Sequence, residues 1–245
     1  METGNTQRIA IVTGGSGGIG RAICVELSLS GCHVVVNYLH NRDGAEKTLT
    51  EVLAAGGGGE IRQFDVCDRE AAEEVVREIN DRMGGIDILV NNAGAIADGL
   101  FMMMSPEKWH KVIETSLYGF YNMTRPVIER MVRRRRGAIV SISSAASLMP
   151  NRGQANYAAA KAGLNAASRT VAVEVARLGI RVNVVAPGLI ETEMIKDAPR
   201  DDIKNLIPMA RIGRPEEVAR VVSFLCSDAA SYITGQILSV NGGML

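Results

Sequence analysis

The fold is decided by the stretch Arg8-Ile9-Ala10-Ile11-Val12-Thr13-Gly14-Gly15-Ser16-Gly17-Gly18-Ile19-Gly20. A short apolar run typical of a buried strand leads directly into a glycine-rich turn, and the pattern of residues 21–30 that follows is helical. In this order the turn lets a pyrophosphate approach the backbone, and the helix start offers it free N–H groups and a positive dipole end. The stretch predicts a dinucleotide-binding turn; the alternative is a flexible turn that binds nothing.

Two spacings of the glycines fit this prediction. Gly15, Gly17 and Gly20 match G-x-G-x-x-G, while Gly14, Gly18 and Gly20 match G-x-x-x-G-x-G. In either frame the turn supplies candidate contacts for a cofactor, which are Gly14, Gly15, Ser16, Gly17 and Ile19.

Strand and helix patterns alternate along the rest of the chain without a linker or a tandem repeat. Apolar runs predict strands at residues 33–38, 60–64, 86–90, 138–142, 180–185 and 237–240. Helical patterns lie between them at residues 43–55, 69–83, 107–131, 156–178 and 216–226. We expect Pro126 to kink or divide the helix at 107–131. The alternation predicts an α/β, Rossmann-like, doubly wound parallel sheet with helices on both faces, built as a single domain over residues 1–245.

Composition excludes several classes of protein. The 27 Lys and Arg residues balance 27 Asp and Glu residues, so no overall field attracts nucleic acid or an anionic membrane. The four cysteines form no C-x-x-C pair, and the three histidines lie outside any metal-ligand spacing. No apolar run reaches the roughly 18 residues of a membrane span, and the start has no signal pattern. We expect a cytoplasmic enzyme with no metal, no nucleic acid and no membrane partner.

The second predicted strand ends at Asn37 and Tyr38 instead of at an acidic residue. In dinucleotide-binding folds an acid about 20 residues past the glycines holds the ribose 2′-hydroxyl of NAD. A carboxylate would repel a 2′-phosphate, whereas Asn37 with His40, Asn41 and Arg42 can accept one. The sequence therefore predicts NADPH over NADH; the alternative is that these residues form a solvated loop.

Polar and small residues follow the next two predicted strands. Asp65 and Val66 are candidates for contact with an adenine edge, although Asp65 or Asp68 can instead cap the following helix. Residues 91–94, Asn-Asn-Ala-Gly, end the fourth strand, where ligands bind in open α/β sheets.

Two irregular segments flank the expected site. Residues 95–105 include the apolar run 101–104, which is either a substrate-facing surface or part of the core. Residues 189–208 follow the sixth strand and are a candidate lid over a cofactor.

Tyr157 and Lys161 stand four residues apart in an alanine-rich helical run, so they share one helix face. A phenol is almost fully protonated at neutral pH, and an adjacent cation lowers its pKa toward the range of a general acid or base. The pair alone indicates little, because two such residues can share a face without a common function.

The ordered set of motifs resembles the short-chain dehydrogenase/reductase family over essentially the whole chain. The motifs are Thr13-Gly14-x-x-x-Gly18-Ile19-Gly20, Asp65, Asn91-Asn92-Ala93-Gly94, Ser144, Tyr157-x-x-x-Lys161 and Pro187-Gly188. Within that family the chain is most similar to the 3-oxoacyl-acyl-carrier-protein reductases, on the segments 153–163, 184–192, 232–236 and 240–244.

The resemblance implies roles for particular residues. Tyr157 would protonate the alkoxide, Ser144 would hydrogen-bond the substrate carbonyl, and Lys161 would bind the nicotinamide ribose and lower the pKa of Tyr157. The cofactor would also be framed by Asn92, Ala93, Gly94, Ile190 and Thr192. The activity implied is the NADPH-dependent reduction of a β-ketoacyl thioester on acyl carrier protein. The alternatives are a reductase of another ketone and a cofactor-binding member without turnover.

Two residues depart from the family pattern. Relatives commonly have an asparagine on the long helix that supports a water in a proton relay to the lysine, and here Ser116 stands there. NADPH-using relatives often carry a basic residue just before the second motif glycine, and here that residue is Gly17.

The run Arg133-Arg134-Arg135-Arg136 is the expected docking site for the acidic surface of the carrier. The alternative is a solvated basic end of the helix, which the helix dipole favours. The resemblance also implies a homotetramer, which the apolar ending 237–245 permits.

Overall fold

The computed structural model of the protein describes residues 7–192 and 206–245. Within them seven strands form one parallel sheet, in the order β3-β2-β1-β4-β5-β6-β7. The strands are β1 (Ile9–Val12), β2 (His33–Tyr38), β3 (Gly58–Gln63), β4 (Ile88–Asn91), β5 (Gly137–Ile142), β6 (Ile180–Pro187) and β7 (Ile237–Val240). The chain starts in the middle of the sheet, winds to one edge and then to the other, so the predicted doubly wound fold is confirmed.

Helices cover both faces of this sheet. They are α1 (Gly18–Leu29), α2 (Arg42–Ala54), α3 (Arg69–Met83), α4 (Pro106–Ile113), α5 (Gly119–Arg134), α6 (Ala155–Val175) and α7 (Pro215–Cys226). Across the two described ranges, no helix is both long enough and apolar enough to cross a membrane.

The core has two parts, one on each face of the sheet. On one face the apolar sides of α1, α2 and α7 pack on the strands, and on the other face those of α3, α5 and α6 do so. Helix α3 shows how the sequence sets this: Ala72, Val76 and Ile79 recur at helical spacing and are fully buried. Asp68 caps its start by accepting the N–H groups of Glu70 and Ala71, as its position before the helix predicts.

Strand β3 begins earlier than the sequence predicts. Gly58 and Gly59, expected in a flexible connection, lie in the strand, where Gly58 pairs with His33 and Gly59 with Val34. Pairing along β2 satisfies the backbone of both glycines, so the tertiary context overrides their low strand propensity.

The predicted helix at 107–131 is divided, but not at Pro126. The division is a π-helical turn at Glu114–Tyr118, where the N–H of Gly119 bonds the carbonyl of Glu114, while α5 continues through Pro126 to Arg134. The expectation that Pro126 divides the helix was wrong, because α5 runs unbroken from Gly119 to Arg134 with Pro126 buried inside it. Single π turns in long helices occur frequently at functional sites.

The parallel arrangement gives the sheet two different edges. At the carboxyl edge lie the glycine turn after β1, the segment 91–94 after β4, Ser144 after β5 and Gly188 after β6. The amino edge holds Asp87 before β4 and the arginine run before β5. Ligands of open α/β sheets bind at the carboxyl edge, which is where the candidate site lies.

Candidate active site

The glycine turn lies directly above the end of β1. Gly14 has a φ of +63°, a conformation that favours glycine, and a Cβ there would lie 3.0 Å from the Cα of Ala93. A Cβ at Gly20 would overlap the carbonyl oxygen of Gly14. Any larger residue at these positions would therefore displace the turn from the start of α1, where a phosphate is expected to bind.

Hydrogen bonds tie the turn to the neighbouring strand. Thr13 Oγ1 accepts the N–H groups of Asn92 and Ala93, each at 3.0 Å, and the Asn92 amide donates to the carbonyls of Thr13 and Gly14. The segment after β4 is therefore fixed to the glycine turn before any ligand binds.

Asn37 supports the turn and does not face a ligand. Its Oδ1 accepts the N–H of Gly14 at 3.1 Å, its Nδ2 donates to the carbonyl of Phe64 at 3.0 Å, and the side chain is buried. Because its amide is committed to backbone groups, the structure leaves Asn37 no donor for a 2′-phosphate. Because residue 37 is an asparagine, no carboxylate stands there to repel a 2′-phosphate.

A cleft of about 760 Å³ opens at the carboxyl edge and runs from the glycine turn to the end of α6. Predicted residues that line it are Gly14, Ser16, Gly17, Ile19, Asn41, Asn92, Ala93, Gly94, Ser144, Tyr157, Lys161, Ile190 and Thr192. Those outside its lining are Gly15, Asn37, Tyr38, Arg42, Asp65 and Val66. Asp65 accepts the N–H of Cys67 at 2.8 Å, so it also shapes the turn that follows β3.

Other lining residues had no individual role predicted from the sequence, although Gly18, Gly20, Pro187 and Gly188 belong to the quoted motifs and Leu189 and Leu206 to the predicted lid. They are Gly18, Gly20, Ile96, Ile142, Ser143, Ala145, Ala146, Met149, Pro150, Asn151, Gln154, Pro187, Gly188, Leu189, Leu206 and Met244. Most are apolar or small residues in loops, which carry no chemical signal of their own. Of the predicted lid at 189–208, residues 193–205 lie outside the described part of the chain, and Leu189, Ile190, Thr192 and Leu206 line the cleft.

Ser144 is oriented for donation. Its Oγ accepts the N–H of Ala146 at 3.1 Å, and its side chain is hydrogen-bonded to Tyr157. The accepted backbone bond does not use the hydroxyl proton of Ser144, so that proton can turn from Tyr157 to an oxygen placed in the cleft.

Tyr157 is largely withdrawn from water beside Ser144. Burial raises the pKa of its phenol, the hydrogen bond with Ser144 opposes that rise, and the negative charge of Asp98 adds to it. The phenol is therefore protonated at neutral pH, which is the state that a proton donor needs. The structure does not show the predicted lowering of this pKa by Lys161.

Lys161 shares the helix face of Tyr157, with its Nζ 5.7 Å from the centre of the phenol ring. The Nζ donates to the carbonyl of Ile142 at 2.9 Å, and burial lowers its pKa to about 8. An ammonium group has three donors, so Nζ retains capacity for the hydroxyls of a ribose.

Ser116 lies in the π turn and is 3% exposed. Within the described residues its Oγ has no hydrogen-bond partner. A hydroxyl can donate one hydrogen bond and accept two, so this group keeps its capacity to bind a water. Ser116 can therefore hold a water, as a relay through this position would need.

The cleft fits a nicotinamide dinucleotide, because it combines a glycine turn at a helix start with Lys161 at the far end. No group of three His, Cys, Asp or Glu residues in the described ranges is arranged to bind a metal ion. The four cysteines are all free thiols.

The arginine run lies at the amino edge, away from this cleft. Arg136 and Arg134 bond Asp87 Oδ1 at 2.6 and 3.0 Å, and the Arg135 side chain donates to the carbonyl of Arg177. Three of the four guanidinium groups are therefore engaged within the chain.

The family model and the known proteins that this chain resembles are all described as acyl-carrier-protein reductases. A protein-family model described as "Enoyl-(Acyl carrier protein) reductase" matches residues 14–245. The chain is 42% identical over 244 residues to the "3-oxoacyl-[acyl-carrier-protein] reductase" of Synechocystis sp., covering 99% of each protein. It is 42% identical to the "3-oxoacyl-[acyl-carrier-protein] reductase FabG" of Staphylococcus epidermidis, over 96% of this chain and 98% of that protein. To the FabG of Escherichia coli K12 it is 45% identical, over 97% of each.

Proposed function

Because the chain belongs to the short-chain dehydrogenase/reductase family, whose members are nicotinamide-dependent oxidoreductases, we propose that it reduces β-ketoacyl thioesters on acyl carrier protein. The product is the β-hydroxyacyl thioester, the reductant is NADPH, and the pathway is fatty acid synthesis. The observation that carries the proposal is the convergence of two hydroxyl donors, Ser144 and Tyr157, above the buried Lys161.

These residues divide the work of ketone reduction. A bound nicotinamide supplies a hydride. As negative charge develops on the substrate oxygen, Ser144 donates a hydrogen bond to it, and the Tyr157 hydroxyl gives it a proton. Lys161 holds the ribose end of the cofactor beside Tyr157 and places a positive charge near the phenol from which the proton leaves.

The preference for NADPH rests on residues near the start of α2. Asn41 lines the cleft but its Oδ1 also caps the helix through Gly44, and Arg42 is exposed and paired with Glu46 at 2.8 Å. His40 is exposed beside them. We infer that Asn41, His40 and Arg42 accept the 2′-phosphate, since Asn37 has no free donor for it.

The test is the oxidation of NADPH with acetoacetyl-acyl carrier protein. Crotonyl-acyl carrier protein, which offers a C=C bond, and an unrelated ketone are run beside it, each also with NADH. Turnover of the β-ketoacyl substrate with NADPH supports the proposal. Reduction of the crotonyl substrate alone would instead assign the activity in the description of the matching family model, because that reaction needs no donor to a ketone.

Carrier docking at Arg133 to Arg136 stays a proposal, and the structure sharpens its test. In the described chain Arg133 is the one member of the run whose side chain has no bonded partner. We expect Arg133→Glu to raise KM for the carrier-linked substrate while leaving KM for a small thioester unchanged. The matched control is Arg125→Glu on the same helix; an equal rise of KM for both substrates would remove the docking site.

A homotetramer and a cytoplasmic location also remain proposals. Exposed Tyr118, Tyr121 and Val173 on the long helices offer apolar surface to a second copy, and four free thiols fit a reducing compartment. Sedimentation equilibrium of the purified chain tests the tetramer, and a monomer would refute it.

A further inference from the structure

Asn156 stands immediately before the tyrosine and is completely buried. Its Oδ1 accepts the N–H of Tyr157 at 2.8 Å. Its Nδ2 donates to two carbonyls, that of Ala97 at 3.0 Å and that of Lys108 at 3.2 Å. One side chain therefore joins the first turn of α6 to the loop after β4 and to α4.

The bond to Tyr157 replaces a missing helix cap. The first N–H groups of a helix have no partner within it, and the residue before α6, Gln154, makes no side-chain cap. Asn156 supplies that acceptor from within the helix, so the backbone position of Tyr157 depends on the Asn156 amide.

Hydrogen bonds between the loop 95–105 and residues 153–156 hold the loop against the start of α6. Within it the only regular element is a short turn at Phe101–Met103. The N–H of Gly99 bonds the carbonyl of Gly153 at 2.9 Å, and the Gln154 amide donates to the Asp98 carboxylate at 3.0 Å. Ile96 in the same loop lines the cleft, so these bonds also set the wall that faces a substrate.

We propose that Asn156 is a positioning residue that fixes the substrate-facing loop 95–105 and the proton donor Tyr157 in one frame. The inference rests on the proposed function, since it assigns the loop to the β-ketoacyl substrate. It adds a residue without any contact to the reacting atoms, and it explains why a fully buried amide precedes the tyrosine.

The chemistry of the amide accounts for the choice of residue. An asparagine has two N–H donors and one carbonyl acceptor, and here all three functions are used. An aspartate keeps the acceptor but loses both donors, and a serine is too short to span three segments. Either change leaves two buried carbonyls without a partner and releases the loop.

The experiment compares Asn156→Ser and Asn156→Asp with the unaltered enzyme. We expect kcat for acetoacetyl-acyl carrier protein to fall about 10- to 100-fold, because small misplacements of a reacting group have effects of that size. The Kd of NADPH, measured by its fluorescence, should stay within about twofold, since the glycine turn is not touched.

The matched control is Asn183→Ser. Asn183 is equally buried, donates to the carbonyl of Ile233 at 2.9 Å and accepts the N–H of Gln236 at 3.1 Å, away from the cleft. This variant should lose thermal stability in the same way but keep its kcat per folded molecule. Equal losses of kcat in Asn156→Ser and Asn183→Ser would reduce Asn156 to a structural role and overturn the proposal.

Hydrogen exchange gives a second readout that needs no substrate. The amides of residues 95–105 should exchange faster in Asn156→Ser than in Asn183→Ser, and unchanged exchange would overturn the proposal. If the unaltered enzyme reduced no β-ketoacyl thioester, the proposed function would fail, and the exchange rates would still decide whether Asn156 holds the loop.

Discussion

The two edges of the sheet bury polar groups in opposite ways. At the amino edge, Asp87 is 6% exposed, and both oxygens of its carboxylate have partners. Oδ2 accepts the N–H of Ile9 at 2.9 Å, and Oδ1 pairs with the guanidinium groups of Arg134 and Arg136. At the carboxyl edge, Lys161 is 3% exposed, and among the described residues its Nζ donates one hydrogen bond, to the carbonyl of Ile142; Ser144 and Tyr157 line the cleft beside it.

The difference separates polar groups that are buried to hold the fold from polar groups that are buried in the candidate active site. Removing one member of a buried ion pair destabilises a fold, because the other charge is left without a partner, whereas a buried charge that faces only a carbonyl itself lowers stability and stays ready to bind. The lowered pKa of Lys161 records this cost, which arises from burial alone. We therefore expect substitutions at the amino edge to change stability, and those at the carboxyl edge to change activity.

The largest effect is expected for Tyr157→Phe. The ring remains and the proton donor is lost, so kcat should fall at least about 1,000-fold, within the range of general acid catalysis. Thermal stability and the Kd of NADPH should hardly change. Tyr121→Phe, on the half-exposed surface of α5, is the control. Substantial activity in Tyr157→Phe would disprove the assigned mechanism.

The next effect is expected for Lys161→Met in the cofactor-free protein. The folded pKa of about 8 lies below the ordinary value of 10.5, so burying the cation lowers stability at every pH below about 8. The methionine variant should be more stable there by about 3 kcal/mol, although inactive. As pH rises from 8 toward 10.5 the lysine in the folded state loses its proton, and the advantage should disappear. Denaturant unfolding across this range measures it; a variant less stable at neutral pH would contradict the comparison.

At the opposite edge, Asp87→Asn should weaken the fold and spare the chemistry. The loss of charge removes the attraction to two partly exposed guanidinium groups, so we expect the free energy of unfolding to fall by about 2 kcal/mol. Activity per folded molecule should be unchanged. Glu46→Gln, which breaks the exposed pair with Arg42, should leave the free energy of unfolding almost unchanged. A loss of kcat in Asp87→Asn would show that the edges are not independent.

The smallest effect concerns cofactor choice. Arg42→Ala removes an exposed cation near the expected 2′-phosphate, so KM for NADPH should rise about fivefold while KM for NADH stays constant. The difference should shrink at high salt, since exposed charges are screened. Arg69→Ala, an exposed cation at the start of α3, serves as the control; equal changes for both cofactors would move the phosphate site elsewhere.

The sequence was sufficient wherever local pattern and tertiary context agree. The bounds of β2, α3 and β7 match the prediction, because apolar periodicity and caps define them. The residues of the carboxyl edge were found because chemically distinctive side chains follow strand ends in a parallel sheet.

The remaining features depend on partners distant in sequence. Asn37 appears free to meet a phosphate until the structure shows it bonded to Gly14 and Phe64. From the sequence, the arginine run is interpreted as a solvated helix end or a docking site. In the structure, Asp87, which is distant in sequence, forms ion pairs with Arg134 and Arg136. Neither periodicity nor spacing carries information about such pairs, so only the folded arrangement separates structural from functional polar residues.

The apolar lining of the cleft provides built-in spectroscopic probes. Met149 and Met244 line it from two separate segments, while Met123 and Met131 are fully buried on the core-facing side of α5. In protein labelled at the methionine methyl carbons, the first two signals should shift when a cofactor or acyl chain enters the cleft. The other two should stay in place as internal references, so a single spectrum would separate occupancy of the cleft from a change in the fold.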